Sequence, residues 1–273
     1  MALAYGADAA YLGGAQFGLR AFGGNFTNEE IRAAVRLAHA AGKKIYVTVN
    51  VFPHNDDLVS LPDYLRFLAE AGADALNIVS PYYFGLPAAA AVGYFERIAN
   101  AVELPIMLYN FPDRTGSDLS PEIVREIAQR CPTITGIKDT VDNISHTRRI
   151  CQAVKPVRPD FSVLSGFDEY YIVNRISGGD GVLCGLTNVV PELFVKMHSS
   201  YESGDLAAAV KCAEQIAGLM RIYAVTPLFI TGMKAAVRAA GLPISTYTRA
   251  PGTTLTEVED REIRAILADL AVS

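Results

Sequence analysis

Seven short apolar runs, separated by segments of helical period, limit what this chain can fold into. The runs are 9–13, 45–51, 75–79, 105–109, 134–138, 161–165 and 181–184. The segments between them carry apolar residues three and four apart. In 28–41, Ile31, Ala34, Val35 and Ala38 share a face, Thr27 and Glu30 have capping-box spacing, and Gly42 marks the stop. Segments 61–71 (after Ser60, stopped by Gly72), 88–101, 121–129 and 144–153 follow the same grammar. Strands that alternate with helices pair in parallel, with the helices outside. After Cys184 the strand pattern stops, and 191–203, 206–223, 227–240 and 257–270 read as helices. The expected fold is therefore α/β: a TIM (β/α)8-type barrel over 1–188, with C-terminal helices over 189–273 packed on it. Seven strands is one short of the closed barrel. The opening Met1–Tyr5 reads as the end of a helix whose preceding strand is missing.

Composition narrows the classes of function. The chain has 273 residues, 51% hydrophobic and 19% charged, enough for one large core. No apolar run is long enough to span a bilayer, and no basic stretch precedes an apolar block at the start. The net charge of −5 argues against a nucleic-acid partner. The four cysteines form no Cys-x-x-Cys pair, and the four histidines show no metal-ligand spacing. The expectation is a cytoplasmic protein with reduced thiols and no metal. Three loops share a pattern: Gly6-Ala-Asp8, Gly72-Ala-Asp74 and Gly179-Asp180 each precede an apolar run. These aspartates are expected to hold turns and not to catalyse.

The chemistry centres on the ends of two consecutive runs. Tyr109 and Lys138 close them, at the carboxyl ends where barrel enzymes place their sites, and neighbouring strands lie about 4.8 Å apart. A lysine at the tip of an apolar strand either snorkels to solvent or is a nucleophile whose amine is kept neutral by a dry setting. Tyr109 taken alone reads as a core tyrosine. Paired with Lys138, it reads as the carrier of a proton.

Over about 67–273 the chain resembles the dihydrodipicolinate synthase and N-acetylneuraminate lyase family, the Schiff-base pyruvate lyases. The residues that carry this are Ser80-Pro-Tyr-Tyr83, Leu108-Tyr-Asn-Phe-Pro112 with Arg114-Thr-Gly116, Gly136-Ile-Lys-Asp139, Leu164-Ser-Gly166 and Gly178-Gly-Asp-Gly181. Lys138-Asp-Thr-Val-Asp142 and the tail from Thr226-Pro227 to Thr246 look nearest the 2-keto-3-deoxy sugar-acid aldolase branch. The resemblance implies a class I lyase or aldolase. Lys138 would form an imine with pyruvate, and a C–C bond to an aldehyde (a 2-keto-3-deoxy sugar acid or aspartate semialdehyde type) would form or break. It implies no cofactor and a homo-oligomer, dimer or tetramer. Tyr109 would carry protons, and Tyr83 would reach into a neighbouring subunit's site, though Tyr82 and Phe84 make that segment equally readable as interface packing. Arg114 would hold a second substrate's carboxylate, or pair with Asp113. Gly185, Leu186 and Thr187 would line the pocket. Ser165 and Asp168 read as pocket or turn residues, and Cys184 as a small core residue.

Residues 1–75 resemble a different group, the N-terminal barrel of the collagenase-like peptidase family, through Ala4-Tyr-Gly-Ala-Asp8, Gly23-Gly-Asn-Phe-Thr27 and Lys44-Ile-Tyr-Val-Thr-Val-Asn-Val-Phe-Pro-His-Asn55. The chain thus reads as a composite joined near 65–75. Peptidase or RNA-modification activity is disfavoured by the net charge and by the lack of that family's cysteine signature. A cost follows for the aldolase reading. The lyase family grips the pyruvate carboxylate with adjacent hydroxyls, whereas the loop here is Gly13-Gly-Ala-Gln-Phe17, without a hydroxyl. Gly13 and Gly14 would have to bind the carboxylate through backbone amides. The alternative reading is therefore a catalytically impaired chimeric barrel. His54, in the loop after the second run, reads as a surface histidine before a substitute acid.

Overall fold

The computed structural model describes residues 2–18, 24–50, 57–82, 85–250 and 252–272. Seven strands follow one another in chain order in one sheet. The chain divides into two compact units, one of residues 1–164 with 177–180, the other of 165–176 with 181–273.

In the first unit the strands are β1 (Ala9–Gly13), β2 (Lys44–Val49), β3 (Ala75–Val79), β4 (Ile106–Asn110) and β5 (Ile134–Asp139), followed by β6 (Ser162–Ser165), whose last residue belongs to the second unit. The pairs β1–β2, β2–β3, β3–β4 and β4–β5 are all parallel. The helices between them are α1 (Asn28–Ala40), α2 (Asp57–Glu70), α3 (Ala88–Ala99), the single turn α4 (Pro112–Thr115), α5 (Pro121–Arg130) and α6 (Ile144–Val154). Alternation sends one set of strand residues, such as Val47, Leu76, Ile106 and Leu108, into a core with Ile31, Leu65 and Ile127 from the helices. The Thr27–Glu30 capping box forms as the sequence predicts.

The second unit holds β7 (Gly181–Val182) and the helices α7 (Tyr171–Ile176), α8 (Pro191–Glu202), α9 (Leu206–Leu219), α10 (Ile222–Val225), α11 (Phe229–Ala239) and α12 (Glu257–Val272). Their core includes Leu186, Met197, Ile216, Ala235 and Ile263. Two of the expected helices differ from expectation by more than a residue or two. The helix expected over 61–71 begins at Asp57, because Ser60 followed by Pro62 imitates an N-terminus while Pro62 sits inside the helix. The helix expected over 206–223 breaks after Leu219 and resumes at Ile222.

Two of the three glycine–aspartate loops are sheet staples. Gly72 closes its helix at φ 86° and Gly178 at φ 92°, backbone that glycine adopts without strain. Asp74 then accepts from the Ile45 amide at 2.7 Å, and Asp180 accepts from the Val163 amide at 2.7 Å. Each carboxylate satisfies the amide of the second residue of a neighbouring strand. Lys155 also donates to Asp180 at 2.9 Å.

Gly136 has a stricter requirement. A Cβ there would lie 2.8 Å from the Ser162 carbonyl oxygen and 3.0 Å from Ser162 Cβ, and the carbonyl is backbone that cannot rotate away. Gly136→Ala is expected to cost about 1–3 kcal/mol by overpacking. Urea denaturation checks this, and an unchanged midpoint would refute it.

Candidate active site

A one-residue irregularity decides what β4 and β5 present. Ile106 pairs with Ile134, but the next pair is Met107 with Gly136, so the register shifts by one. Without that shift Tyr109 would sit opposite Ile137, and Lys138 would point to the other face of the sheet. With it, Tyr109 pairs with Lys138 and Asn110 with Asp139. Tyr109 and Lys138 share the half-buried face, whereas Asn110 and Asp139 are fully buried. The Lys138 Nζ lies 4.4 Å from the centre of the Tyr109 ring, within cation–π range. The convergence expected from the sequence is therefore formed.

Beyond Tyr109 the aromatic row continues. Its ring lies 6.1 Å from that of Phe111, over which the Arg114 guanidinium sits at 5.9 Å. Arg114 is exposed on α4, and no Asp113–Arg114 pair occurs among the ion pairs of the described residues.

On the buried face four polar side chains close a ring. Asn110 Nδ2 donates to Asp139 Oδ1 and to Asp118 Oδ1, each at 3.0 Å, and Asn110 Oδ1 accepts from the Leu119 amide at 3.0 Å. Asp139 Oδ2 accepts from Thr147 Oγ1 at 2.7 Å and lies 3.0 Å from His146 Nδ1. His146 Nε2 lies 3.4 Å from Asp118 Oδ2, an ion-pair contact and not a well-formed hydrogen bond. Burial alone would lower the His146 pKa. The Asp118 and Asp139 carboxylates override it and raise the imidazole to about 9. The same contact to His146 holds the Asp118 carboxyl below its usual range.

Gly13 ends β1 and Gly14 bridges to Phe26. Gly13 lines a cleft of about 300 Å³ with Tyr11, Asn25, Thr48 and Asn50. Thr48 pairs with Asn77, and Asn77 with Met107. The cleft therefore opens on the same sheet face and at the same strand ends as Tyr109 and Lys138. A hydroxyl lies beside the Gly13–Phe17 loop, on the neighbouring strand. Thr48 Oγ1, donating to the Leu12 carbonyl at 3.2 Å, is the side-chain atom nearest to where a Gly13 Cβ would be. Asn77 Oδ1 is buried without a hydrogen-bond partner on this same face. Gly14 is demanded by packing, since a Cβ there would strike the buried Tyr64 hydroxyl. Thr48 was not singled out from sequence, because nothing in a β2 run reveals which residue on β1 it will face. Tyr83 and His54 lie outside the described residues, as does Phe84, whereas Tyr82 is half-buried.

In the second unit Gly185 packs against Tyr223, whose hydroxyl occupies the place of a side chain at 185. Tyr223 donates to Asp168 Oδ2 at 2.8 Å, and the Leu186 amide donates to Asp168 Oδ1 at 2.6 Å. Burial, then the Asp168 charge, pushes the Tyr223 phenol far above its ordinary pKa. Asp168 thus anchors the Gly185–Leu186 backbone, and Ser165 Oγ accepts from Asn174 Nδ2 at 2.9 Å. Thr187 Oγ1 donates to the Cys184 carbonyl at 2.8 Å. Tyr223 was also missed from sequence, lying 55 residues from its carboxylate partner.

A model of the dihydrodipicolinate synthetase family matches residues 22–270. The chain belongs to the dihydrodipicolinate synthetase family. It is accordingly a class I aldolase-type lyase, forming a lysine Schiff base with pyruvate. Among its relatives in this family is YjhH of Escherichia coli, described as a probable 2-dehydro-3-deoxy-D-pentonate aldolase, 34% identical over 90% of this chain and 82% of YjhH. The structure of YagE, a prophage protein of Escherichia coli K12 in complex with pyruvate, superposes with TM-score 0.86 at 28% identity, covering 99% of this chain and 89% of YagE. Dihydrodipicolinate synthase from Thermotoga maritima shares the fold at TM-score 0.80 and 24% identity, over 90% of this chain and 81% of that one. A composite origin is not borne out. The family match begins at residue 22, inside the segment that resembles the peptidase barrel, and the alternative of an impaired chimera gains no support. Among the described residues no helix is long and apolar enough to cross a membrane.

The raised His146 pKa has a consequence for stability. Its folded value of about 9 lies above the unfolded value near 6.5, so protonation favours the folded state. That stabilisation is complete below pH 6.5 and disappears as the pH rises through 9. Its size is on the order of 3 kcal/mol, counted once for His146 with its carboxylates. Chemical denaturation between pH 6 and 10 should show the decline in the native chain and a flatter profile in His146→Gln.

Proposed function

We propose that Lys138 is the Schiff-base lysine, that Tyr109 is its proton carrier, and that the substrate is a 2-keto-3-deoxy sugar acid. One observation carries the assignment of roles: the Lys138 amine stands 4.4 Å from the Tyr109 ring centre on register-paired strand ends. In the cleavage direction the amine attacks C2 of the keto acid, and the carbinolamine loses water as Tyr109 delivers a proton to the departing hydroxyl. The imine then draws the electrons of the C3–C4 bond. The Tyr109 phenolate takes the proton of the C4 hydroxyl, an aldehyde departs, and Tyr109 returns that proton to C3 of the enamine. Hydrolysis returns pyruvate and the free amine.

The choice of sugar acid rests on two supports. YjhH carries that activity in its description, and the cleft beside Gly13 is lined by Asn25, Thr48 and Asn50, groups suited to a polar substrate. The keto-acid carboxylate is assigned to Gly13 and Gly14, with Thr48 as the neighbouring hydroxyl. Arg114 is the site for a distal anionic group. The YagE complex with pyruvate supports the keto-acid half. Assembly as a dimer or tetramer, with Tyr83 serving a neighbouring site, belongs to the same proposal and is read by light scattering.

Incubation with pyruvate and borohydride should add one reduced pyruvyl group at Lys138, and an adduct on another lysine, or none, overturns the assignment. Lys138→Ala should abolish turnover of 2-dehydro-3-deoxy-D-pentonate or gluconate. Tyr109→Phe should lower kcat by about 10²–10⁴. Preferential turnover of aspartate semialdehyde would overturn the choice of substrate.

A further inference from the structure

β4 ends on Asn110 and β5 on Asp139, each one residue beyond the proposed reacting pair. Strand ends fray unless something holds them. Here both terminal side chains are fully buried and joined to each other at 3.0 Å. The joint extends through Asp118, in the loop before α5, and through His146 in the first turn of α6. Four separate pieces of chain thus meet in one closed circuit behind Tyr109 and Lys138.

The circuit has the composition of a clamp. Two carboxylates flank one imidazole, and Asn110 cross-links them with a single amide nitrogen. Without a cation between them the buried Asp139 carboxylate and the half-exposed Asp118 carboxylate would repel each other. The charged groups facing His146 are Asp139 from β5 and Asp118 from the loop. Arg149 of α6 acts on Asp118 and lies 3.6 Å from Glu122 of α5. Among the described residues no group of three His, Cys, Asp or Glu side chains has the geometry to hold a metal ion. The Asp118 and Asp139 carboxylates on either side make His146 the cation of the circuit.

We propose that His146, with Asp118 and Asn110, is a positioning set for the reaction: it pins the ends of β4 and β5 so that the Tyr109 hydroxyl and the Lys138 amine hold their mutual register. The set touches no reacting atom, since alternation puts it on the opposite face of the sheet. Its catalytic consequence rests on the assignment of Lys138 and Tyr109 above.

The experiment compares the native chain with His146→Gln and with Asp118→Asn, a change at a side chain 45% exposed and so tolerant for folding. Amide hydrogen exchange at residues 109, 110, 138 and 139 needs no substrate. Both variants should speed it by about tenfold or more, with exchange at Leu76 in β3 unchanged. Borohydride trapping with pyruvate should then show kcat-like loss: the rate of adduct formation falls about 10-fold or more while the half-saturating pyruvate concentration stays within about twofold. Asp118→Glu, which keeps the charge, should recover part of the rate. Unchanged exchange at the four strand-end amides overturns the clamp whether or not the chain is an aldolase. Faster exchange with an unchanged trapping rate overturns its role in the reaction. If the native chain forms no adduct at Lys138, the catalytic assignment fails, and with it the catalytic half of this proposal, while the exchange data still judge the clamp. Should His146→Gln not fold, Asp118→Asn decides alone.

Discussion

The site depends on one extra residue in β5. The register shift between Ile106 and Met107 turns the tip of β5 over by one position, so that Lys138 emerges beside Tyr109 and Asp139 turns into the core beside Asn110. Two consequences come together because side chains on a strand alternate. The half-buried face receives an amine and a phenol, and the buried face receives a carboxylate and an amide. Gly136 belongs to the same arrangement, since the approach of Ser162 leaves no room for a Cβ at the point where the strand is irregular.

Function divides along that alternation. Reactive groups need access, and Tyr109 and Lys138, the proposed pair, are half-buried and not sealed. The groups that keep the strand ends in place need the reverse, because charge-assisted contacts are strong only where water is scarce. Asn110, Asp139 and Thr147 are fully buried, and His146 is nearly so. The cationic imidazole between two carboxylates therefore stabilises the back of the sheet at pH values below about 9. The staples at Asp74 and Asp180 serve the opposite ends of the strands, each carboxylate taking one strand amide and one basic side chain.

Much of this was legible in the chain. The seven strands, their order and the helical tail follow from period and from glycine–aspartate punctuation, which are local properties. Tyr109 and Lys138 were legible because they end apolar runs within motifs that resemble a known family. The N-terminal quarter was less legible. Its resemblance to another barrel family suggested a composite, and the absence of a hydroxyl after Gly13 suggested a broken grip. The structure sets Thr48 beside Gly13, a neighbour 35 residues away that no local pattern announces.

Sequence alone determined that the chain would build a parallel sheet flanked by helices, and where each strand would end to within a residue or two. Those outcomes depend on hydrophobic period, caps and turn chemistry, all set within a few residues. Tertiary structure decided which faces those strand ends would show. It also decided that Asn110, Asp118, Asp139 and His146 would meet, and that Asp168 would find Tyr223. Such meetings depend on register and on packing between distant segments, where a shift of one residue exchanges the two faces of a strand.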